Sequence, residues 1–324
     1  MHFAKLALER GGSIHPLIIP NEYTNGLGLM NPSIFIDKGK VLVNLRSVNY
    51  TFYHSEKKLF QHQWGPLTYV HPDDDPHLRT WNYYLELNND YEITRINKIN
   101  TSKFDTYEPQ WDFVGLEDAR IFRWEDKLYV SGVRRDLDTI GTGRMELSEI
   151  LVNEDSVKEV SRVRIEAPID TNSYCEKNWM PVLDIPYHYI KWSNPTELVK
   201  VNPETGESEQ IFTGDKKPIN GEPRGGSQVI SWKDYYLAIT HEVDLFNSEV
   251  GRKDAIYHHR IVLWDKNWNL IKWSKRFFIM GAHVEFCVGL TKHKDHILMT
   301  FGFQDNAAYL LKFSDDVIEE FLND

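Results

Sequence analysis

Cysteine is nearly absent from this chain, with two residues, Cys175 and Cys287, in 324. Neither stands in a CxxC or metal-ligand spacing, which argues against a disulfide framework and a zinc site and fits a reduced, cytoplasmic setting. Long hydrophobic runs are missing too. The opening residues, MHFAKLALERGGSIHP, are broken by Lys5, Glu9 and Arg10 before any apolar stretch reaches signal-peptide length. No run approaches the roughly 20 apolar residues of a membrane span, so a soluble chain without a classical export signal is expected. Positive charge is in deficit, with 37 Lys and Arg against 48 Asp and Glu and a net charge of -11. That balance excludes broad electrostatic binding to nucleic acid or anionic lipid, so any local cluster of cations becomes informative. No Gly-rich phosphate loop leads into a helix, no GxSxG elbow occurs, and neither cysteine sits in a nucleophile motif, which removes nucleotide-dependent kinases and serine hydrolases. No cofactor is expected.

What the chain does have is aromatic residues and short β-rich runs. Ten Trp, sixteen Tyr and sixteen Phe are good strand formers and flat apolar faces for stacking, Trp179 and Trp192 being better placed for that than Trp64, Trp81 or Trp111. Helical periodicity is hard to find over any long stretch. Five segments share one plan: NPSIFIDKGKVLVNLRS (31–47), LEDARIFRWEDKLYVSGVR (116–134), EKNWMPVLDIPYHYIKWS (176–193), GGSQVISWKDYYLAITHEV (225–243) and VEFCVGLTKHKDHILMTFGFQD (284–305). Each crosses an apolar strand, turns on charged or Pro-containing residues, crosses a second apolar strand and closes on polar residues, as a β-hairpin does. Five such units predict an all-β, five-bladed β-propeller spanning 1–324 as a single catalytic domain, the N-terminal segment supplying the strand that closes the ring. A β-sandwich is the competing arrangement.

Antiparallel strands return to the end from which they start, so the polar ends of all five hairpins are expected at one mouth. The entering ends contribute Asn31, Glu117, Asp118, Lys177, Asn178, Arg224, Ser227, Gln228 and Glu285, and the returning ends Arg46, Arg134, Arg135, His241, Glu242 and Asp305. The alternative for any one of them is a solvated strand end or a salt bridge between blades.

At these residues the sequence resembles a family. GLEDARI is similar to the acidic signature of glycoside hydrolase family 130, five-bladed propellers that include mannoside phosphorylases, some hydrolases and mannosyltransferases. NPSIF…LVNLR, EKNWMPV, SQVI…YYLAITHE and FGFQD resemble further blade motifs of that family in order. The resemblance implies inverting glycosyl transfer to or from phosphate, with Asp118 as general acid, passing its proton through a sugar hydroxyl; a sugar alkoxide is a poor leaving group and needs that proton. It also places Arg46, Lys177, Asn178 and His241 at or near anion-binding positions, where Arg forks, Lys charges and His donors hold phosphate. Arg134, Arg135, Arg224, Glu117 and Asp305 join them by the propeller argument, Glu117 being expected to raise the pKa of Asp118 by like-charge repulsion. The expected partners are an oligosaccharide or sugar acceptor and phosphate or a sugar-phosphate donor. A nucleotide-sugar transferase, a β-mannoside hydrolase and a noncatalytic glycan-binding propeller are the alternatives. The chain has Ala119 where the family commonly has Pro, and the insertion at 61–81 has no placed counterpart. Within it, HPDDDPH (71–77) reads as a solvated turn rather than a metal loop, and the paired His of YHHR (257–260) face opposite sides of a strand, so no metal site is expected.

Overall fold

The computed structural model describes residues 2–52, 69–70, 75–168, 173–247 and 253–323. Residues 71–74 of HPDDDPH (71–77) and most of the 61–81 insertion lie outside the described residues; the end of the insertion, from Leu78, is already strand.

Five four-stranded antiparallel blades follow one another along the chain. Blade 1 is Gly28–Asp37, Lys40–Val48, Leu78–Leu87 and Ile93–Asn100. Blade 2 is Glu117–Trp124, Lys127–Arg134, Arg144–Val152 and Val157–Arg164. Blade 3 is Met180–Pro181, His188–Ser193, Thr196–Val201 and Ser208–Thr213. Blade 4 is Ile230–Trp232, Tyr235–Asn247, Lys253–Trp264 and Leu270–Trp273. Blade 5 takes Glu285–His293, His296–Phe303 and Ala307–Phe313 from the C-terminal part and Ser13–Pro16 from the N-terminal part, with Ser13 opposite Lys312. The fold is a five-bladed β-propeller, and each of the five hairpins read from sequence forms the first two strands of a blade.

Four of the five hairpins share a turn that their sequences disguise. Asp37–Lys40, Trp124–Lys127, Trp232–Tyr235 and His293–His296 each close over two residues. The first turn residue is left-handed in every case: Lys38, Glu125, Lys233 and Lys294, with φ of 50°, 53°, 52° and 56°. Such φ values match the twist of the flanking strands, so tight turns here use polar residues where glycine is usual.

The ring is tied together at its axis. Gln228, fully buried on the approach to blade 4, donates from Nε2 to the carbonyls of Ile34 (2.8 Å) and Ile121 (3.0 Å) and accepts at Oε1 from the Leu290 amide (3.0 Å). One side chain thus bonds the innermost strands of blades 1, 2 and 5. Ser33 Oγ donates to Ala119 O, Thr300 Oγ1 to Pro32 O, and Arg120 to Gly226 O, all from buried positions. Gln228 and Ser227 are therefore not mouth residues, because their polar atoms are consumed inside the ring. Glu285 is not one either; its carboxylate accepts the amides of Ile279, Met280 and Ala282. Gln228→Leu leaves three buried backbone groups unpaired and is expected to destabilise the protein by about 3 kcal/mol or more, measurable by urea unfolding; a loss under about 1 kcal/mol would remove the axial role.

The outer edges are also joined. Val157 and Lys158 of blade 2 pair in parallel with Ile99 and Asn100 of blade 1, making one continuous sheet of the two blades. Two short helices, Phe3–Glu9 and Asp315–Asn323, pack at blades 4 and 5, where the ring of Phe3 lies 5.1, 4.9 and 4.8 Å from those of Phe277, Phe313 and Phe321. No described helix is long and apolar enough to cross a membrane.

Candidate active site

A β-bulge sets the first acidic side chain. In blade 2, Glu117 is opposite Val133 and Arg120 opposite Ser131, so Asp118 and Ala119 together face Gly132. Asp118 takes the left-handed φ of 49°. Blade 1 repeats the device: Asn31 and Pro32 together face Leu45, and Asn31 has φ 45°. A bulge bends its strand and re-aims a side chain, and Asn and Asp tolerate the left-handed region at modest cost. Gly132 cannot be replaced simply, since a Cβ there would lie 2.3 Å from the Glu117 carbonyl oxygen.

The two bulges bring Asn31 and Asp118 together. Asn31 Nδ2 donates to Asp118 Oδ1 at 2.8 Å, and Arg46 Nη1 donates to the same oxygen at 2.7 Å. The Arg46 side chain is 5% exposed and also donates to Tyr50 Oη (2.6 Å), to Thr80 Oγ1 (3.1 and 3.2 Å) and to Glu117 Oε2 (3.4 Å). Asp305, from the turn after the second strand of blade 5, is half-buried, left-handed (φ 49°) and makes no hydrogen bond among the described residues. Two carboxylates thus bond one arginine, and a third, Asp305, lies within reach of its charge.

Their electrostatics differ from the sequence expectation. For Asp118, burial favours the neutral acid, but Arg46, Arg120, the Asn31 amide and Lys177 outweigh it and hold the carboxyl below its usual value. Glu117 moves the other way, pushed up by burial and by the Asp118 charge. Asp305 is pushed up to about 6 by burial and by Asp118 and Glu117, against Arg46. Repulsion between Glu117 and Asp118 exists, but the partner that bonds Arg46 most closely keeps its charge and the others carry the shift. An ionised Asp305 costs folding stability: the benefit of its raised pKa is complete below the ordinary 3.8, and is lost as pH rises through about 6. Asp305→Asn is accordingly expected to raise the melting temperature at pH 8 by about 2 °C or more and to have little effect at pH 4; a fall at pH 8 would contradict this.

Cations come from the other side of the ring. Lys177, just before blade 3, is exposed and forms no ion pair among the described residues, while its charge acts on Asp118, Glu117 and His241. Arg224 has an exposed partner, Glu222, at 3.4 Å. Asn178 is buried in a left-handed conformation (φ 60°), its Oδ1 without a partner. A cavity of about 370 Å³ opens among Lys177, Asn178, Arg224 and Trp192. Trp192 is 36% exposed there, whereas Trp179 is a core residue at 1%. His241 lies within the ring wall, its Nδ1–H donating to Gly225 O at 2.8 Å and its ring stacked on Tyr257 at 5.7 Å. Burial and the charges of Lys177, Arg224 and Arg120 pull it down to about 3, so it is a neutral imidazole and not a cation.

Arg135 half-joins the site. It donates to Gly141 O (3.0 Å) and Tyr174 Oη (2.6 Å) between the rings of Phe113 and Tyr174, and its charge acts on Glu117. Arg134 does not join it. Its guanidinium bonds Glu146 (2.8 Å), Asp105 (3.2 Å) and Asp136 (3.4 Å) beside a cavity of about 320 Å³ between blades 1 and 2. Adjacent strand residues point to opposite sides, and Arg134 takes the side where three carboxylates consume its charge. Glu242 is likewise held away, paired with Arg260 and Arg276. Sequence reasoning missed Tyr50, Thr80 and Tyr257. Only Tyr50, four residues after Arg46, carried a positional hint.

No family model matches the chain, and no curated protein does. Solved structures match along nearly its whole length. One is a β-1,2-mannobiose phosphorylase from Listeria innocua in complex with β-1,2-mannobiose, 15% identical over 92% of either chain, with a TM-score of 0.57. The chain has the fold of the GH130 enzymes. A structure reported for that family of mannoside phosphorylases, which contains glycoside hydrolases targeting β-1,2-mannosidic linkages in Candida mannan, is 14% identical over 90% of this chain and 85% of its own, at 0.56. A mannose phosphorylase from Leishmania mexicana in complex with a phosphate ion is 12% identical over 98% and 93%, at 0.54. The GH130 likeness seen in the sequence motifs thus extends to the ring as a whole.

Proposed function

We propose that residues 1–324 form a single carbohydrate-active catalytic domain that transfers a glycosyl residue with inversion to or from inorganic phosphate, on a β-mannoside or a closely related sugar. The observation that carries this reading is the separation of charge across the mouth. Blades 5, 1 and 2 place Asp305, Asp118 and Glu117 around Arg46, while the segments entering blades 3 and 4 place Lys177 and Arg224 with little compensation. A sugar between the two sides meets a proton-transfer group on one flank and an anion on the other. The phosphorylases of this fold, one in complex with its disaccharide and one with phosphate, support the same pairing of ligands.

In the degradative direction a phosphate oxygen attacks the anomeric carbon, the glycosidic C–O bond breaks, and the departing oxygen takes a proton that originates at Asp118, through a sugar hydroxyl. In the synthetic direction the acceptor hydroxyl gives its proton to Asp118 by the reverse path and attacks the sugar 1-phosphate. With its pKa held down, Asp118 in the empty site is a carboxylate, the form in which synthesis begins. A second reading, transfer from a nucleotide sugar, is favoured by the exposed Trp192 beside Lys177 and Arg224, a flat face next to two cations.

The test is incubation of the purified chain with β-manno-oligosaccharide and phosphate, followed by ³¹P NMR. An α-configured sugar 1-phosphate is the expected product. Consumption of GDP-mannose with an acceptor selects the second reading; free mannose without phosphate shows a hydrolase; sugar binding with no turnover of any substrate shows a recognition module.

A further inference from the structure

Blades 1 and 2 hold between them a chamber of about 320 Å³, at the lower end of the range of small-molecule sites, about 300–1,000 Å³. The parallel pairing of Val157 and Lys158 with Ile99 and Asn100 ties the two outer edges together, so backbone bounds the gap on that side. One stretch of the wall is apolar, made by Ile99, Leu116, Val130 and Ile150. The rest is polar. Ser148 lies opposite Val130 and two residues before Ile150, which is itself opposite Glu159; all four line the chamber, so this face of blade 2 is turned into it. Ser148 is 2% exposed, and its Oγ has no hydrogen-bond partner among the described residues.

The polar wall has acceptors in excess and no uncommitted cation among the described residues. Arg134 is shared by Glu146, Asp105, Asp136 and the Tyr107 hydroxyl, and Arg79 donates to Asp75 at 2.6 Å. Asp105, Asp136 and Glu159 accept from Arg162, Arg134 or the Gly115 amide, and each carboxylate oxygen has a second lone pair to offer. An anion would meet carboxylates there, and an amine would meet the Arg134 guanidinium. A neutral molecule with several hydroxyl donors and one apolar face is opposed by neither.

We propose that this chamber is a second carbohydrate site, noncatalytic, which takes a neutral pyranoside with its C–H face on the apolar stretch and its hydroxyls on Ser148, Asp136 and Glu159. A ring hydroxyl gives Ser148 Oγ the partner that the fold does not. Arg46, Asp118 and Lys177 do not line the chamber, although Thr80 on its wall accepts from Arg46. Asp136 accepts the Gly115 amide at 3.1 Å and Asn82 donates to Leu116 O at 2.9 Å, directly before Glu117 and Asp118. The contents of the chamber therefore bear on the segment that carries Asp118. The assignment does not rest on phosphate-dependent transfer at the mouth.

The experiment is ¹⁹F NMR of the full chain labelled with 3-fluorotyrosine, titrated with methyl β-D-mannopyranoside and methyl β-D-glucopyranoside. Tyr107 lines the chamber and Tyr50 bonds Arg46 in the mouth; their resonances are assigned from Tyr107→Phe and Tyr50→Phe. The Tyr107 resonance is expected to shift saturably with at least one pyranoside, and not with inorganic phosphate or putrescine. Ser148→Met fills the chamber and is expected to abolish that shift. Should it not fold, Ser148→Ala removes only the hydroxyl and is expected to weaken the affinity read at Tyr107 about tenfold, leaving the Tyr50 response unchanged. A shift at Tyr107 without one at Tyr50 supports the chamber and counts against sugar binding at the mouth. A shift at Tyr50 alone overturns the chamber and leaves the mouth standing. No response of Tyr107 to either pyranoside, a response to phosphate or putrescine, or one that survives both Ser148 variants unweakened, overturns the proposal.

Discussion

Asp118→Asn is expected to lower the rate of the proposed phosphorolysis by about 10³-fold while leaving a folded chain. The amide keeps an oxygen that accepts from Arg46 and Asn31, so the two hydrogen bonds at 2.7 and 2.8 Å can re-form, but it neither gives nor takes the proton that glycosidic oxygen exchange requires. The charge it removes also matters for stability. Asp118 has a depressed pKa, so its contribution is present above the ordinary carboxyl value and is lost as pH falls through the lower folded value. The variant should melt below the unaltered protein at pH 7, and the gap should close in strong acid. Steady-state rates of sugar 1-phosphate release and melting curves at several pH values check both statements. Turnover within tenfold of the unaltered enzyme would remove Asp118 from the chemistry.

Arg46→Met should have the larger structural effect. The guanidinium is buried, and burial opposes its charge, yet Tyr50, Asp118, Glu117 and Asp305 together raise its pKa above the usual value. Without it three carboxylates remain in a poorly solvated cluster with no counter-ion in contact, and removing one partner of a buried ion pair typically costs about 3–5 kcal/mol. The pH dependence has a definite sign. Glu117 and Asp305 already stand above their ordinary values against the pull of Arg46 and rise further without it, so the stabilisation they bring is complete at low pH and is lost as pH rises through the folded values. The deficit in urea unfolding should therefore be larger at pH 8 than at pH 5, and activity should be absent at both. A deficit that is constant with pH, or below about 1 kcal/mol, would mean that the cluster does not depend on this arginine. Arg46→Lys retains the charge but not the fork that reaches Asp118, Glu117, Tyr50 and Thr80 at once, and is expected to rescue stability more than rate.

The five hairpins were legible because period-two apolar runs and polar two-residue turns are local properties. The mouth was only partly so. Arg134 and Arg135 are neighbours with the same chemistry, and nothing in their immediate sequence says which one meets Glu146 in a gap between blades and which one faces Tyr174. Gln228 and Ser227 read as mouth residues because hairpin ends look alike in sequence; the axis of the ring needed their hydrogen bonds instead. The direction of the Asp118 shift was out of reach for a related reason. Glu117 is adjacent in the chain, while Arg46 is 72 positions away in sequence and yet bonds the Asp118 carboxylate at 2.7 Å.

By itself the sequence determined that this chain forms strands, where the hairpins turn, that they number five, and that carboxylates and cations gather at their ends, because alternation, turn chemistry and composition act over a few residues. The tertiary structure alone decided which charges are neutralised and which stay open to a ligand, which nitrogen of His241 carries its proton, and that bulges at Asn31 and Asp118 turn two side chains toward one arginine. Those outcomes depend on distances between residues tens of positions apart, and electrostatic and hydrogen-bond energies are set by such distances and by burial, neither of which a local pattern contains.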